Sequence, residues 1–177
     1  FPLIAPPELL ALYDPDEVRL PATFNEPLDR QHPAIQQLRR GWRNDEPLPE
    51  ATQRLAMACY HALITQVDRL VGQMVAALRE TGQLDDTVVI YTSDHGEMGG
   101  HHGIWQKQCF YEPSARVPLL MRGPGVGRGR VADNVSLVDL LPTLLDAAGV
   151  EPADELPGRS LLDVARHDPS EPTRTVF

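Results

Sequence analysis

The fold is decided by residues 87–107, which read Thr-Val-Val-Ile-Tyr-Thr-Ser-Asp-His-Gly-Glu-Met-Gly-Gly-His-His-Gly-Ile-Trp-Gln-Lys. The first six residues have the length of a strand and are mostly β-branched or aromatic. Their apolar side chains are contiguous rather than alternating, which predicts a strand buried on both faces. A polar, glycine-rich loop follows at once, and ligands of open α/β sheets bind beyond the carboxyl ends of strands. The sequence therefore predicts a ligand site directly after this strand.

A long amphipathic helix is predicted over residues 50–80, before the strand. Its apolar side chains recur every three or four residues, which is the spacing of one helical face. They are Leu55, Cys59, Leu63, Val67, Leu70, Met74 and Leu78. Gly82 is placed to end the helix as a left-handed cap.

Further elements are predicted after the loop. Residues 117–121 form a second apolar run of strand length. Ser136 is placed to cap a helix that ends at Gly149, with Pro142 in its first turn or at a bend. Residues 175–177 read as the beginning of another strand. Helices and strands alternate along the chain, which is typical of an α/β domain.

The first part of the chain differs in composition. Residues 1–49 hold nine of the seventeen prolines, and proline interrupts helices and strand ladders. We therefore expect a Pro-rich connecting segment over 1–49, with helical turns around 7–13 and 33–40, and an α/β domain over 50–177.

Composition excludes several classes of protein. The 177 residues include 16 basic and 25 acidic side chains, a formal net charge of −9, so nucleic acid is not an expected partner. No apolar run is long enough to span a membrane. The two cysteines cannot form a disulfide framework, and as free thiols they favour a cytoplasmic location over an oxidising one.

The Asp94-His95 pair is the first candidate for chemistry. A carboxylate and a neutral imidazole are ligands for divalent metals. Gly96 lets the chain turn so that both side chains can face one ion. The alternative is that Asp94 caps a turn and His95 is an ordinary surface residue.

Other candidates lie further along the same loop. Glycines allow His102 and Lys107 to converge with the Asp94-His95 pair. His101 and His102 form either a second metal pair or a polar loop, and adjacent histidines rarely ligate one ion. The Lys107 ammonium is either a point charge for an anionic oxygen or a solvated surface group.

In order and spacing these motifs resemble the sulfatase family. The matching strings are Thr92-Ser-Asp-His-Gly-Glu-Met98, Gly100-His-His-Gly-Ile-Trp-Gln-Lys107 and Phe110-Tyr-Glu-Pro-Ser-Ala-Arg-Val-Pro-Leu-Leu-Met-Arg-Gly-Pro-Gly125. Val138-Asp-Leu-Leu-Pro-Thr-Leu-Leu-Asp-Ala-Ala-Gly149 and Leu156-Pro-Gly-Arg-Ser-Leu161 also resemble family segments. The resemblance covers most of the chain and is weakest over 1–49.

The resemblance implies a fold, a reaction and a set of site residues. The fold is part of an alkaline-phosphatase-like α/β sheet with flanking helices, from the later half of the catalytic domain and truncated at both ends. The reaction is hydrolysis of small anionic sulfate esters. By position, Asp94 and His95 are metal ligands, Lys107 contacts the sulfate or the leaving-group oxygen, and His102 lines the site.

Sulfatases attack sulfur with a formylglycine made from Cys or Ser in a Cys/Ser-x-Pro/Ala-x-Arg motif. Neither Cys59 nor Cys109 begins that motif, so formylglycine is expected only outside this chain, which should be inactive alone. The family's metal is usually calcium. The imidazole of His95 suits manganese or zinc better.

Two alternatives to a sulfatase stay open at this point. Many sulfatases have asparagine at the position of His95, whereas other sulfatases and related phosphonate monoester hydrolases have histidine, so a phosphonate or phosphate ester hydrolase is the second interpretation. The third is a non-catalytic sulfatase-like module. Truncation would expose surfaces that are normally covered, and such surfaces favour self-association.

Overall fold

The 31-residue helix α3 dominates the part of the chain before the strands. The computed structural model describes residues 2–162 and places this helix at Glu50–Glu80, as the periodicity predicts. Gly82 ends it with φ +71°. The Gly82 N–H donates to the Arg79 carbonyl oxygen at 3.1 Å, and the Gln83 N–H donates to that of Leu78 at 2.9 Å. These two bonds satisfy carbonyls that the helix itself leaves unpaired.

The remaining elements are short. Helices α1 (Pro7–Leu10) and α2 (Pro33–Gly41) lie at the two expected turns of the Pro-rich segment. After α3 come strand β1 (Val89–Thr92), helix α4 (Glu112–Ala115), strand β2 (Leu119–Arg122) and helix α5 (Leu140–Ala147). Single 3₁₀ turns occur at Pro15–Glu17, Leu28–Arg30, Leu84–Asp86, His101–Gly103 and Leu137–Asp139.

The described residues form two compact units. The first contains residues 2–77 and 95–118, and the second contains 78–94 and 119–162. Within the first unit α3 buries its small side chains, Ala58, Cys59 and Ala62. Several larger members of the predicted apolar face, Leu55, Val67, Leu70 and Met74, are exposed. The helix is confirmed, whereas only part of its predicted face is buried.

The second unit is built on an antiparallel pair of strands. Val89 is opposite Arg122, and Thr92 is opposite Leu119. The expectation of a strand buried on both faces is wrong for the described residues. Tyr91 and Leu120 lie opposite each other in the ladder, so their side chains share a face, and both are exposed. The cause is that the sheet has two strands in the described part of the chain, which leaves that face uncovered.

Helix α5 begins as its sequence predicts. Ser136 and Asp139 form a capping box, in which each side chain accepts a hydrogen bond from the other residue's backbone N–H. Pro142 lies in the first turn, where its missing N–H costs no helical hydrogen bond. Gly149 follows the helix with φ +65°.

No helix within residues 2–162 is long and apolar enough to cross a membrane. The strand expected at 175–177 lies outside the described residues. The division at residue 49 into a connecting segment and an α/β domain stays a prediction.

Candidate functional site

Asp94 lies just beyond the end of β1, in the second unit. Its side chain is exposed, and its Oδ1 accepts a hydrogen bond from the Ser93 hydroxyl at 3.4 Å. Two residues earlier, the Thr92 Oγ1 is buried and makes no hydrogen bond with the described residues. The end of β1 thus presents an exposed carboxylate beside a buried hydroxyl.

His95 begins the second stretch of the first unit and is half-buried. Its Nδ1 is 2.7 Å from the carbonyl oxygen of Gly96. Since a carbonyl only accepts, the proton of that bond belongs to Nδ1, and the lone pair of the neutral ring is then on Nε2. A hydrogen bond of this kind orients the histidine ligands of metal sites.

Gly96 itself is held against the residues before β2. Its N–H donates to the Ser114 carbonyl oxygen at 2.8 Å, and a Cβ at this position would overlap the Pro113 carbonyl oxygen. The position requires glycine because the two backbones approach too closely for a side chain.

Glu97 closes the loop that follows. One carboxylate oxygen, Oε1, accepts from the backbone N–H of Gly99 at 3.1 Å and of Gln106 at 2.6 Å. The Met98 N–H also donates to the Gln106 carbonyl oxygen at 2.8 Å. Met98 and Ile104 are fully buried, so the loop has a small core of its own.

His102 is the most firmly held of the candidate side chains. Its Nδ1 is 2.6 Å from the Glu26 carboxylate, and its ring stacks on Tyr111 with a centroid distance of 4.3 Å. Its backbone has φ +56°, a left-handed conformation that costs energy for a residue with a Cβ. The Thr23 hydroxyl, which accepts from the His102 N–H at 3.0 Å, helps to hold it there.

The His102 carbonyl oxygen accepts two further hydrogen bonds, from Gln31 at 2.7 Å and from Arg39 at 3.3 Å. Arg39 is 1% exposed, and its guanidinium also donates to the carbonyl oxygens of Asn44 and Asp45. Burial lowers the pKa of Arg39, and the negative charges of Asp45 and Glu26 act in the opposite direction. The side chains of Gln31 and Arg39 thus fix the backbone of His102 at its carbonyl oxygen.

Lys107, at the end of the loop, combines a hydrogen-bonded backbone with an exposed side chain. Its carbonyl oxygen accepts from the Ser114 hydroxyl and, at 2.8 Å, from the Cys109 N–H. Its side chain is exposed and makes no ion pair with residues 2–162. The backbone is fixed while the ammonium stays available to an anion.

His101 is half-buried beside His102. Burial, and after it the charge of His102, lowers the pKa of His101 below its usual value. A lowered pKa keeps the ring neutral near pH 7.

The other singled-out residues have structural roles or ordinary surroundings. Both cysteines are free, and Cys59 is buried in α3 as expected. Arg116 pairs with Glu112 at 3.8 Å and Arg122 with Asp85 at 4.0 Å.

The remaining histidines are not clustered. The His32 Nδ1 caps α2, His61 contacts Tyr13, and His167 lies outside the described residues. Among residues 2–162 no three His, Cys, Asp or Glu side chains are grouped as a metal site. The assignment of Asp94 and His95 to a metal, and of His102 and Lys107 to catalysis, stays a prediction.

Sequence reasoning missed the groups that shape the loop. Glu26 and Arg39 lie 76 and 63 residues from His102, so no local pattern reveals them. Glu97 was visible inside the motif, and its position between two glycine-rich turns is the signal that could have identified a loop-closing carboxylate.

One sequence match was also missed. Residues 170–174, Ser-Glu-Pro-Thr-Arg, fit the Ser-x-Pro-x-Arg form of the formylglycine motif. They lie outside the described residues. They follow the Ser-Asp-His-Gly strand, whereas the resemblance places the motif far upstream of it, so we assign them no role.

Comparison with known proteins agrees with the motifs. A family model described as Sulfatase matches residues 21–150. A curated relative, "Arylsulfatase K" from Danio rerio, is 47% identical over 106 residues, which are 59% of this chain and 20% of the relative. "Choline-sulfatase" from Rhizobium meliloti (strain 1021) is 38% identical over 151 residues, which are 84% of this chain and 29% of the relative.

Solved structures superpose on most of this chain. A phosphonate monoester hydrolase from Silicibacter pomeroyi superposes with a TM-score of 0.84 at 35% identity, over 96% of this chain and 36% of that one. A protein in complex with its substrate D-glucosamine-2-N,6-O-disulfate gives a TM-score of 0.60 at 29% identity, over 82% of this chain and 32% of that one. The chain thus spans between a fifth and about a third of the length of these proteins.

Proposed function

The chain belongs to the sulfatase family, with the α/β alkaline-phosphatase-like fold of its structural neighbours, and from that membership we propose that the whole protein is a metal-dependent sulfate ester hydrolase. The observation that carries the proposal is the family match over 21–150, which includes the whole motif from Asp94 to Lys107. The relatives named as sulfatases act on sulfate esters, and a small anionic sulfate ester is the proposed substrate class.

Asp94 and His95 are the proposed ligands of a divalent cation. Their donor set, one carboxylate and one imidazole whose Nδ1 is engaged by the Gly96 carbonyl, fits such an ion. The oxygen donor suits calcium, and the nitrogen donor favours manganese or zinc. A bound divalent cation would supply Lewis-acid stabilisation of the negative oxygens on the ester.

Lys107 and His102 are the proposed substrate-side residues. The exposed Lys107 ammonium, carried on a fixed backbone, would bind a sulfate oxygen or the departing oxygen as a point charge. The ring of His102, held by Glu26 and Tyr111, would line the site in a single orientation.

The proposal is tested with the protein made from its complete gene. We expect hydrolysis of p-nitrophenyl sulfate, and a fall of roughly 10²- to 10³-fold in kcat for Lys107→Ala, the size seen when one charge-stabilising donor is removed. Asp94→Asn should lower the bound metal measured by inductively coupled plasma mass spectrometry. The exposed Arg116→Ala is the matched control and should change neither quantity. A wild-type protein without sulfatase activity, or a fully active Lys107→Ala, would contradict the assignment.

A phosphonate monoester hydrolase is the second candidate, favoured by the structural match of 0.84 to such an enzyme. A tetrahedral anionic centre and a divalent ion serve both reactions. The two candidates are separated by kcat/KM for p-nitrophenyl sulfate and for p-nitrophenyl phenylphosphonate under the same conditions. A higher value for the phosphonate would replace the first proposal by the second.

A further inference from the structure

A basic stretch of the chain covers β2 and the loop after it. Residues 119–132 contain three arginines, four glycines and no acidic residue, while the whole chain has a formal net charge of −9. The three side chains, Arg122, Arg128 and Arg130, are all exposed. We call residues 122–130 the arginine loop. A local positive region on an acidic protein concentrates anions at that place.

The charges of the arginine loop are largely unused inside the chain. Neither Arg128 nor Arg130 forms an ion pair with residues 2–162. The Arg122 Nη2 lies 4.0 Å from the Asp85 Oδ1, and the Asp85 side chain is almost fully exposed. Such a long, solvated pair is weak, so Arg122 can turn to an external anion at little cost.

An open depression of about 670 Å³ lies against this loop. It is lined by Arg122, Arg128 and the glycine-rich backbone between them, and by Leu84 and Met121. The space is large enough for several sugar rings or sulfate groups rather than for one small ion.

The backbone of the loop adds hydrogen-bond donors. The N–H groups of Gly127 and Gly129 donate to no backbone carbonyl of the described residues. Gly129 has φ +156° and nothing within 4 Å of the position of a Cβ, so an oxygen can approach its amide closely. Guanidinium groups combined with bare glycine amides suit oxyanions with several oxygens.

The strand register places this loop away from Asp94. Arg122 is opposite Val89 at the start of β1, whereas Asp94 follows the far end of β1 at Thr92. The two ends of the ladder are three residue steps apart, roughly 10 Å at the rise of a strand. The arginine loop is therefore a surface separate from the Asp94 carboxylate within the same unit.

We propose that the arginine loop and its depression bind a multiply sulfated oligosaccharide. The inference rests on the proposed sulfate ester hydrolase function, because the substrate of such an enzyme can carry several sulfate groups. Three guanidiniums within nine residues match repeated sulfates better than a single anion. Asp85 lines the same depression and opposes the binding of anions.

The test is binding of a fully sulfated heparin hexasaccharide to the 177-residue chain, measured by isothermal titration calorimetry. EDTA is present, so that no divalent cation at Asp94 contributes. Arg122→Gln/Arg128→Gln/Arg130→Gln should weaken binding about tenfold or more, since three charge contacts are lost. Asp85→Asn should strengthen it, because it removes the carboxylate from the depression.

The matched control is Arg19→Gln/Arg30→Gln/Arg69→Gln, which removes three exposed arginines. It should change the dissociation constant by less than about twofold, because none of the three lines the depression. Equal weakening by the two triple variants would overturn the proposal, since only net charge would then matter. Absence of binding to the wild-type chain would also overturn it.

Two further probes decide the kind of ligand. A desulfated, N-acetylated hexasaccharide should not bind. An oligothymidylate of equal charge that bound as tightly as the heparin hexasaccharide would overturn the assignment in favour of nucleic acid. Hydrolysis of p-nitrophenyl sulfate by the whole protein is measured separately, so that loss of binding refutes the arginine loop alone and loss of hydrolysis refutes the proposed function alone.

Discussion

At the scale of single residues, the Glu97 carboxylate holds together residues 97–106, the loop that contains His102. Its Oε1 accepts from two backbone N–H groups, those of Gly99 and Gln106. Glu97→Ala would leave both donors without an acceptor, and we expect the free energy of unfolding to fall by about 1–3 kcal/mol. Glu97→Gln keeps one acceptor oxygen and should lie between this variant and the wild type. Urea denaturation measures both.

Glu80→Ala is the control for that prediction. Glu80 is exposed at the end of α3, and its removal should change the stability by no more than about 0.5 kcal/mol. A Glu97→Ala variant as stable as the control would show that the loop does not depend on this carboxylate.

His101 makes the stability of the chain depend on pH. Burial lowers its pKa in the folded state, so the unfolded chain binds more protons at this site. The free energy of unfolding should therefore decrease as the pH falls through the unfolded pKa of about 6.5. In His101→Gln the decrease should be smaller. His61→Gln removes a histidine of α3 instead and keeps His101, so the decrease should persist. Identical pH profiles for His101→Gln and the wild type would contradict the assignment.

At the scale of elements, the start of α5 depends on one buried carboxylate. Asp139 is fully buried; its Oδ2 accepts from the Ser136 N–H at 2.9 Å and its Oδ1 from the Arg159 N–H at 3.0 Å. Asp139→Ala would leave two donors unpaired, and we expect a loss of about 2–4 kcal/mol.

The carboxylate of Asp146 provides the comparison within the same helix. It accepts from the Ser160 hydroxyl at an exposed position, where water can replace the bond. Asp146→Ala should therefore cost less than about 1 kcal/mol. If the two variants had equal midpoints of urea denaturation, burial of the capping carboxylate would not be the source of its effect.

Elements were predicted from the sequence wherever the signal is local. The three-to-four spacing in residues 50–80 and the cap at Gly82 place α3, and Ser136 places the start of α5. The contacts that fix His102 could not be predicted, because Glu26 and Arg39 are distant in sequence and approach only in the folded chain. Burial of β1 on both faces was wrong because contiguous apolar residues do not indicate how many strands or helices cover them.

The candidate site likewise has features that the sequence predicts and features that depend on the folded chain. Asp94, His95 and Lys107 were identified because their type and order match a family motif, which is a property of the sequence alone. The αL conformation of His102 and the fixed backbone of Lys107 depend on tertiary hydrogen bonds. The motif therefore predicts which side chains do chemistry, and the folded chain determines which of them are held rigid.

At the scale of the whole molecule, large apolar side chains are exposed on one stripe of α3. Val67, Leu70 and Met74 are 42%, 50% and 67% exposed, and their spacing of three and four residues puts them on one face. The apolar stripe was predicted to be a core face. A contiguous exposed apolar surface of this kind is typical of a surface that binds another surface.

We expect the 177-residue chain to associate with itself through this stripe. The weight-average mass from light scattering should rise above 19.6 kDa as the concentration increases. Leu70→Glu/Met74→Glu should bring it back toward the monomer value, because burying two carboxylates against an apolar partner is unfavourable. Arg69→Gln/Arg79→Gln changes the net charge by the same two units at exposed positions on another face of α3 and should leave association unchanged. A wild-type mass that stays at the monomer value over the whole concentration range would contradict the prediction. Equal suppression by both variants would mean that net charge, and not the apolar stripe, controls association.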